Sequence, residues 1–134
     1  MYFPHAGLAY MPAATLYANK GIPSIYSRHV RQTVECFTSS IFAISPCEIR
    51  AKSRGSRNVS FARQVAMYLT HVAAGLPMVE VGRLFARDRS TVAHACTVVE
   101  DRRDDPVFDR SLDVLELALR SAASSANDGG GCAR

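Results

Sequence analysis

The chain has 134 residues, 48% hydrophobic and 21% charged, with a net charge of +4. That length and balance fit one globular domain and disfavour disorder throughout, a collagen or a coiled-coil rod. No stretch approaches the roughly 20 apolar residues of a membrane helix, and no basic region precedes the apolar residues of the N-terminus as in a signal peptide. The cysteines (Cys36, Cys47, Cys96, Cys132) show no CxxC or Cys/His finger spacing. A reduced, cytoplasmic protein is therefore expected, with no membrane partner.

Charge is distributed unevenly. From Arg28 to Arg63, seven basic residues face only Glu35 and Glu48, a balance of +5; from Glu100 to Glu116, seven acids face three arginines, a balance of −4. One basic end suggests a polyanionic partner, and a basic face of that size corresponds to a salt slope of roughly −4 to −5 on duplex DNA. The plainer reading is a solvated charged surface.

In chain order, residues 1–26 carry Pro4, Pro12, Pro23, Gly7 and Gly21 without a sustained period and are expected as an irregular arm. Residues 27–123 are expected as the helical domain. Val30, Val34, Phe37 and Ile41 recur at steps of four, three and four, marking one face of a helix that starts near Ser27. Ser45-Pro46-Cys47-Glu48 has the cap, the proline and the acid of a capping box, opening a short helix to about Arg50. Lys52 to Asn58 reads as a basic, turn-rich loop. The next helix runs from about Ser60 to Ala74 and stops at Gly75, with Phe61, Val65, Tyr68 and Val72 on one side, Arg63 nearly opposite and Gln64 on the shoulder. A short helix near Met78–Phe85 can bury Val79, Val81 and Leu84 or Phe85. After the turn Ala86–Arg89, Ser90 is a candidate cap for a helix to about Arg103. That helix has Val92, Ala95, Cys96 and Val99 inward and Ser90, His94 and Thr97 outward. Pro106 opens a last helix with Phe108, Leu112, Leu115 and Leu119 inward. Residues 124–134, with Gly129–Gly131, are expected as a flexible tail.

The fold class is thus all-α, a small helical bundle. Two helices joined by a tight turn, the second with a short polar start, form a helix-turn-helix candidate. Such a second helix presents its first residues to base edges in the major groove. Arg87, Asp88, Arg89, Ser90 and Thr91 have the chemistry for this: arginine donates to guanine, aspartate accepts from cytosine, and the threonine methyl meets that of thymine. His94 extends the same face. The plainer reading is an ordinary helix cap.

Two segments carry a family resemblance. Arg63-Gln64-Val65-Ala66-Met67-Tyr68-Leu69 resembles the RQxAMxL segment of the C-terminal DNA-binding domain of the bacterial replication initiator DnaA. Glu80 to Cys96 resembles that family's E-I-G-x-x-F-G-G-R-D-H-T-T-V-x-H-A-C stretch, and Ser56-Arg57 matches the upstream context. The resemblance spans roughly residues 30–120 and implies a Trp-repressor-like helix-turn-helix that recognises short boxes in double-stranded DNA. It implies phosphate and groove-edge contacts for Arg63 and Gln64, and base reading for Asp88, Ser90 and Thr91. The chain departs from the pattern in three places: Arg89 replaces a histidine, Ala86 stands where the family has two glycines, and Gly55 falls where a minor-groove arginine is expected. Arg54 and Arg57 are the neighbouring candidates for that last role.

The candidate DNA-binding residues are therefore Lys52, Arg54, Arg57, Arg63, Gln64, Arg87, Asp88, Arg89, Ser90, Thr91 and His94. No GxxxxGK[ST] loop is present, so a stand-alone module without nucleotide or other cofactor is expected. No Ser/His/Asp, Cys/His or metal-ligand spacing is readable among His5, His29, His71, His94 and the cysteines, so neither an enzyme nor a metal site is expected. Cys36, Cys47 and Cys96 sit in apolar patterns and are expected in the core. The leading functional expectation is a transcriptional regulator. Its alternatives are a modulator of replication initiation competing for initiator boxes, and a protein-interaction adaptor using the tyrosine-rich arm or the acidic last helix. The arm is also where a homo-oligomer or protein partner would dock.

Overall fold

The computed structural model describes residues 25–131; the expected N-terminal arm lies almost wholly outside them, as do Cys132 and His5. Among the described residues there are six helices and no strand: α1 (Ile25–Phe42), α2 (Pro46–Arg50), α3 (Arg57–Val72), α4 (Met78–Phe85), α5 (Arg89–Arg102) and α6 (Pro106–Gly131). None is long and apolar enough to cross a membrane. The fold class is all-α with a helix-turn-helix, formed by α4 and α5.

Local chemistry sets the boundaries. Ala43 takes a left-handed conformation after α1, and the Ile44 N–H reaches back to the Ser39 carbonyl at 3.1 Å. This closes the helix end before Ser45. The Ser45 capping box forms in full: the Glu48 N–H donates to Ser45 Oγ at 3.3 Å and the Ser45 N–H to Glu48 Oε2 at 3.0 Å. Helix α3 begins almost a turn earlier than the expected Ser60, because the Ser56 hydroxyl caps it by accepting from the Val59 N–H at 3.2 Å. Gly75 then turns the chain at φ 74°. The last helix continues to Gly131, into the stretch expected as tail.

Helix α3 is the central element, packed against α1, α2, α4, α5 and α6. Val65, Met67, Tyr68 and Leu69 are fully buried, and Val34, Ile49, Leu76, Val81, Val92, Val99 and Leu112 are buried with them in the core. Each such aliphatic side chain stabilises the fold by about 1.5–3 kcal/mol. Phe61 bridges Phe42 and Phe108 at ring separations of 5.8 and 5.7 Å, with the Arg102 guanidinium 4.8 Å from its ring centre.

Four residues expected in the core are corrected. Ile41 is 57% exposed, because the last turn of α1 packs on α3 through its neighbour Phe42, which meets Phe61, and leaves Ile41 on the solvent side. Val79 is 46% exposed, sharing the solvent face of α4 with Arg83 one turn on. Cys36 and Cys47 are exposed, whereas Cys96 is buried. Burial, and then the charge of Glu100, push the Cys96 thiol up to about 11, so it behaves as a small apolar group.

A polar knot locks α6 onto the bundle. The Tyr68 hydroxyl donates to Glu100 Oε1 at 2.8 Å and accepts from Arg103 Nη1 at 2.8 Å. Arg103 also donates to Glu116 at 2.7 Å and pairs with Asp109 and Asp113. Burial disfavours the Arg103 charge, but the hydrogen bonds to Asp109, Tyr68 and Glu116 outweigh it and hold its pKa above the usual value. Part of the acidic end of the sequence is thereby consumed internally.

Candidate nucleic-acid interface

The turn between α4 and α5 is built on one glycine. A β-carbon at Gly82 would sit 2.5 Å from the Arg87 carbonyl oxygen, so only glycine lets the turn fold back on α4. The Arg87 N–H donates to the Gly82 carbonyl at 2.8 Å, and Ala86 takes the left-handed conformation at φ 53°.

Helix α5 starts at Arg89 with Asp88 as its N-cap, correcting the expected Ser90. The left-handed Ala86 brings the chain back at Asp88, whose carbonyl accepts from the Thr91 and Val92 N–H groups at 3.0 and 3.1 Å. The Asp88 carboxylate makes no capping bond. Arg89 and Ser90 are therefore the first two helical residues. Asp88, Arg89, Ser90, Thr91 and His94 are all exposed. An open cleft of about 470 Å³ lies between the helices, lined by Val79, Gly82 and Arg83 of α4, Ala86 and Arg87 of the turn, and Asp88, Arg89 and Thr91 at the start of α5. Sequence reasoning passed over Arg83; the signal available was its spacing of four from Val79, which places both on one solvent face. Arg83 also pairs with the buried Glu80 at 3.6 Å.

Lys52, Arg54 and Arg57 are exposed beside the end of α2, and Gln64 is half-buried. The expected role of Arg63 is corrected. Its side chain is 5% exposed, and its Nε, Nη2 and Nη1 donate to the carbonyls of Ile49 at 2.7 Å, Glu48 at 2.8 Å and Arg54 at 3.3 Å. The short helix α2 ends against this face of α3, where the Glu48 carbonyl accepts from the Ala51 N–H at 3.3 Å and the Ile49 carbonyl is left to a partner outside the helix. Arg63 supplies the donor for Ile49 and a second one for Glu48. Burial, and then the nearby charge of Arg87, lower its pKa. Arg87 is half-buried and donates from Nη2 to the Ala51 carbonyl at 2.8 Å and from Nη1 to Phe85 and Ala86 at 3.2 Å each. The basic loop and the start of α5 are thus joined through one guanidinium.

A second buried anchor lies behind this surface. Glu35 of α1 pairs with Arg31 at 3.3 Å and Arg50 at 3.2 Å, and Arg31 donates to the Leu84 carbonyl at 3.4 Å. Burial raises the Glu35 pKa against the opposing pull of Arg31 and Arg50. Among the described residues no cluster of His, Cys, Asp or Glu is arranged to hold a metal ion.

These features define a helix-turn-helix domain with an exposed, polar second-helix start. The model of the bacterial DnaA protein helix-turn-helix matches residues 32–99, half of the chain, and the chain belongs to that family. It is 42% identical over 79 residues to the chromosomal replication initiator protein DnaA of Lachnoclostridium phytofermentans, covering 58% of this chain and 17% of that protein. It is 30% identical over 106 residues to the DnaA of Paraburkholderia xenovorans, covering 77% of this chain and 19% of that one. Among solved structures, a DNA replication initiation factor superimposes with a TM-score of 0.66 at 26% identity, over 73% of this chain and 30% of that one. The replication initiator DnaA bound to AMPPCP and single-stranded DNA gives 0.64 at 26% identity, over 72% and 30%. The chain spans about a fifth of the length of the curated relatives it matches.

Proposed function

We propose that this domain binds double-stranded DNA sequence-specifically, with α5 in the major groove, and acts on replication initiation by competing for initiator boxes. The observation that carries the reading is the exposed run Asp88-Arg89-Ser90-Thr91 at the start of α5, joined through Arg87 to the basic loop of Lys52 and Arg54. The positive end of the α5 dipole and the loop cations suit phosphates. Asp88, Arg89, Ser90 and Thr91 offer donors and acceptors to base edges. Membership of the DnaA helix-turn-helix family favours replication over the transcriptional role expected from sequence alone, since the relatives named above are replication initiators. The setting is bacterial, in contact with the nucleoid, and the chemistry at this surface is binding rather than catalysis.

Mapping the chromosomal sites bound in cells tests the role. Sites concentrated at the replication origin, with altered initiation timing on overexpression, support it. Sites spread over promoters, with changed transcripts and unchanged initiation, would return the protein to transcriptional regulation.

A further inference from the structure

Arg87 lies within the helix-turn-helix, between Ala86 and the N-cap of α5, and its side chain reaches across 36 residues of sequence to α2. Nη1 donates to the carbonyls of Phe85 and Ala86 where α4 ends, and Nη2 donates to Ala51 where α2 ends. Ala51 immediately precedes Lys52. From the other side, Arg63 Nη1 donates to the Arg54 carbonyl at 3.3 Å. The backbone on both sides of Lys52 and Ser53 is therefore held by guanidinium groups that belong to the body of the domain, while the Lys52 and Arg54 side chains stay exposed.

We propose that Arg87 is a positioning residue for DNA recognition: by bonding Ala51 and the end of α4 together, it fixes the basic loop against the recognition helix, so that both meet the duplex as one rigid surface. This rests on the duplex-DNA reading above. The physical reason is preorganisation. A loop already held in place has its backbone ordered before DNA arrives, and the cations of Lys52, Arg54 and Arg57 then act together with Arg89 rather than separately. The forked guanidinium suits the task because it serves three carbonyls on two elements at once. A lysine ammonium at the same place keeps the charge but lacks the planar fork.

A double-mutant cycle on a labelled random-sequence duplex tests this. Arg87→Met is measured in the native loop and in a background carrying Lys52→Ala, Arg54→Ala and Arg57→Ala, with unfolding curves for every variant. The positioning role gives a loss of about tenfold in the native loop and less than about twofold in the neutral loop, because the residue acts through cations that are gone. Arg87→Lys gives the same loss as Arg87→Met, and it replaces Arg87→Met in the cycle if the latter does not fold. Equal losses in both backgrounds, no loss in either, or rescue by Arg87→Lys would each overturn the proposal, the first and last in favour of a direct phosphate contact. If the native protein fails to bind the duplex at all, the DNA reading itself falls; if it binds and the cycle is additive, only the positioning role does.

Discussion

Arg63 donates its Nε–H to the Ile49 carbonyl at 2.7 Å, tying the central helix α3 to the end of α2. A cation that the sequence places opposite an apolar stripe is in fact spent on three backbone carbonyls inside the fold. Arg63→Ala would leave the Ile49 and Arg54 carbonyls without the Arg63 donor and Glu48 with only the Ala51 N–H, and we expect a stability loss of about 2–4 kcal/mol. Arg63→Lys should recover part of it. Urea unfolding of the three proteins checks this; an Arg63→Ala protein as stable as the native one, yet weaker on DNA, would restore Arg63 to the interface.

The recognition turn makes an opposite pair of predictions. At Gly82 the added β-carbon of alanine collides with the Arg87 carbonyl, so Gly82→Ala should cost about 1–3 kcal/mol and weaken DNA binding further by displacing Asp88 and Arg89. At Ala86, φ is 53°, so Ala86→Gly should stabilise by up to about 1 kcal/mol. Thermal unfolding of both variants gives the two signs.

Tyr68 supplies a pH dependence. Its burial, and then its hydrogen bond to Glu100, raise the phenol's pKa above the ordinary tyrosine range, so the neutral form is favoured in the folded state. The contribution is present in full below about pH 10, the unfolded value, and is lost as pH rises through the folded one. The stability difference between the native protein and Tyr68→Phe should therefore be flat through neutral pH and fall in alkali. A difference that instead grew above pH 10 would be incompatible with this environment.

Arg89 is the exposed first residue of α5, where the resembling motif has histidine. Its fork matches O6 and N7 of guanine, so selected sites should carry a guanine where an initiator box has another base. Arg89→His should shift the selected sequence toward the initiator box, at a cost of about 1–3 kcal/mol at that base pair. Site selection from random duplexes, run with both proteins, gives the answer. Identical selected sites with uniformly weaker binding by Arg89→His would leave Arg89 only a phosphate contact.

Periodicity made much of this architecture legible. Val92, Ala95, Cys96 and Val99 are buried as their spacing requires, Leu112 and Leu119 likewise, and the Ser45 capping box forms as written. The outward set of Ser90, His94 and Thr97 on the same wheel is exposed. What a single helical wheel misses is a helix with neighbours on more than one side. Arg63 falls on such a second buried face, and the need for it arises from carbonyls at the end of a five-residue helix, fourteen residues away in sequence. The cap of α5 was misplaced for a related reason: Asp88 and Ser90 have similar capping chemistry, and the left-handed Ala86 decides between them. Ile41 and Val79 follow the apolar pattern yet lie on solvent-facing sides of their helices.

The central claim is that the face formed by the start of α5 and the basic loop binds duplex DNA. With Arg63 buried and Arg83 paired with Glu80, the exposed cations left for this face are Lys52, Arg54, Arg57 and Arg89. With Arg89 at a base edge, three phosphate contacts by Lys52, Arg54 and Arg57 give a slope of log affinity on log salt of roughly −3, shallower than the whole basic segment would suggest. The direct measurement is binding of the full chain to a labelled duplex over a salt titration, alongside the Lys52→Ala/Arg54→Ala/Arg57→Ala variant. The account predicts tight binding at low salt, that slope, and a variant slope shallower by about 2–3. Absent binding at low salt, or binding that salt and the variant leave unchanged, would contradict it.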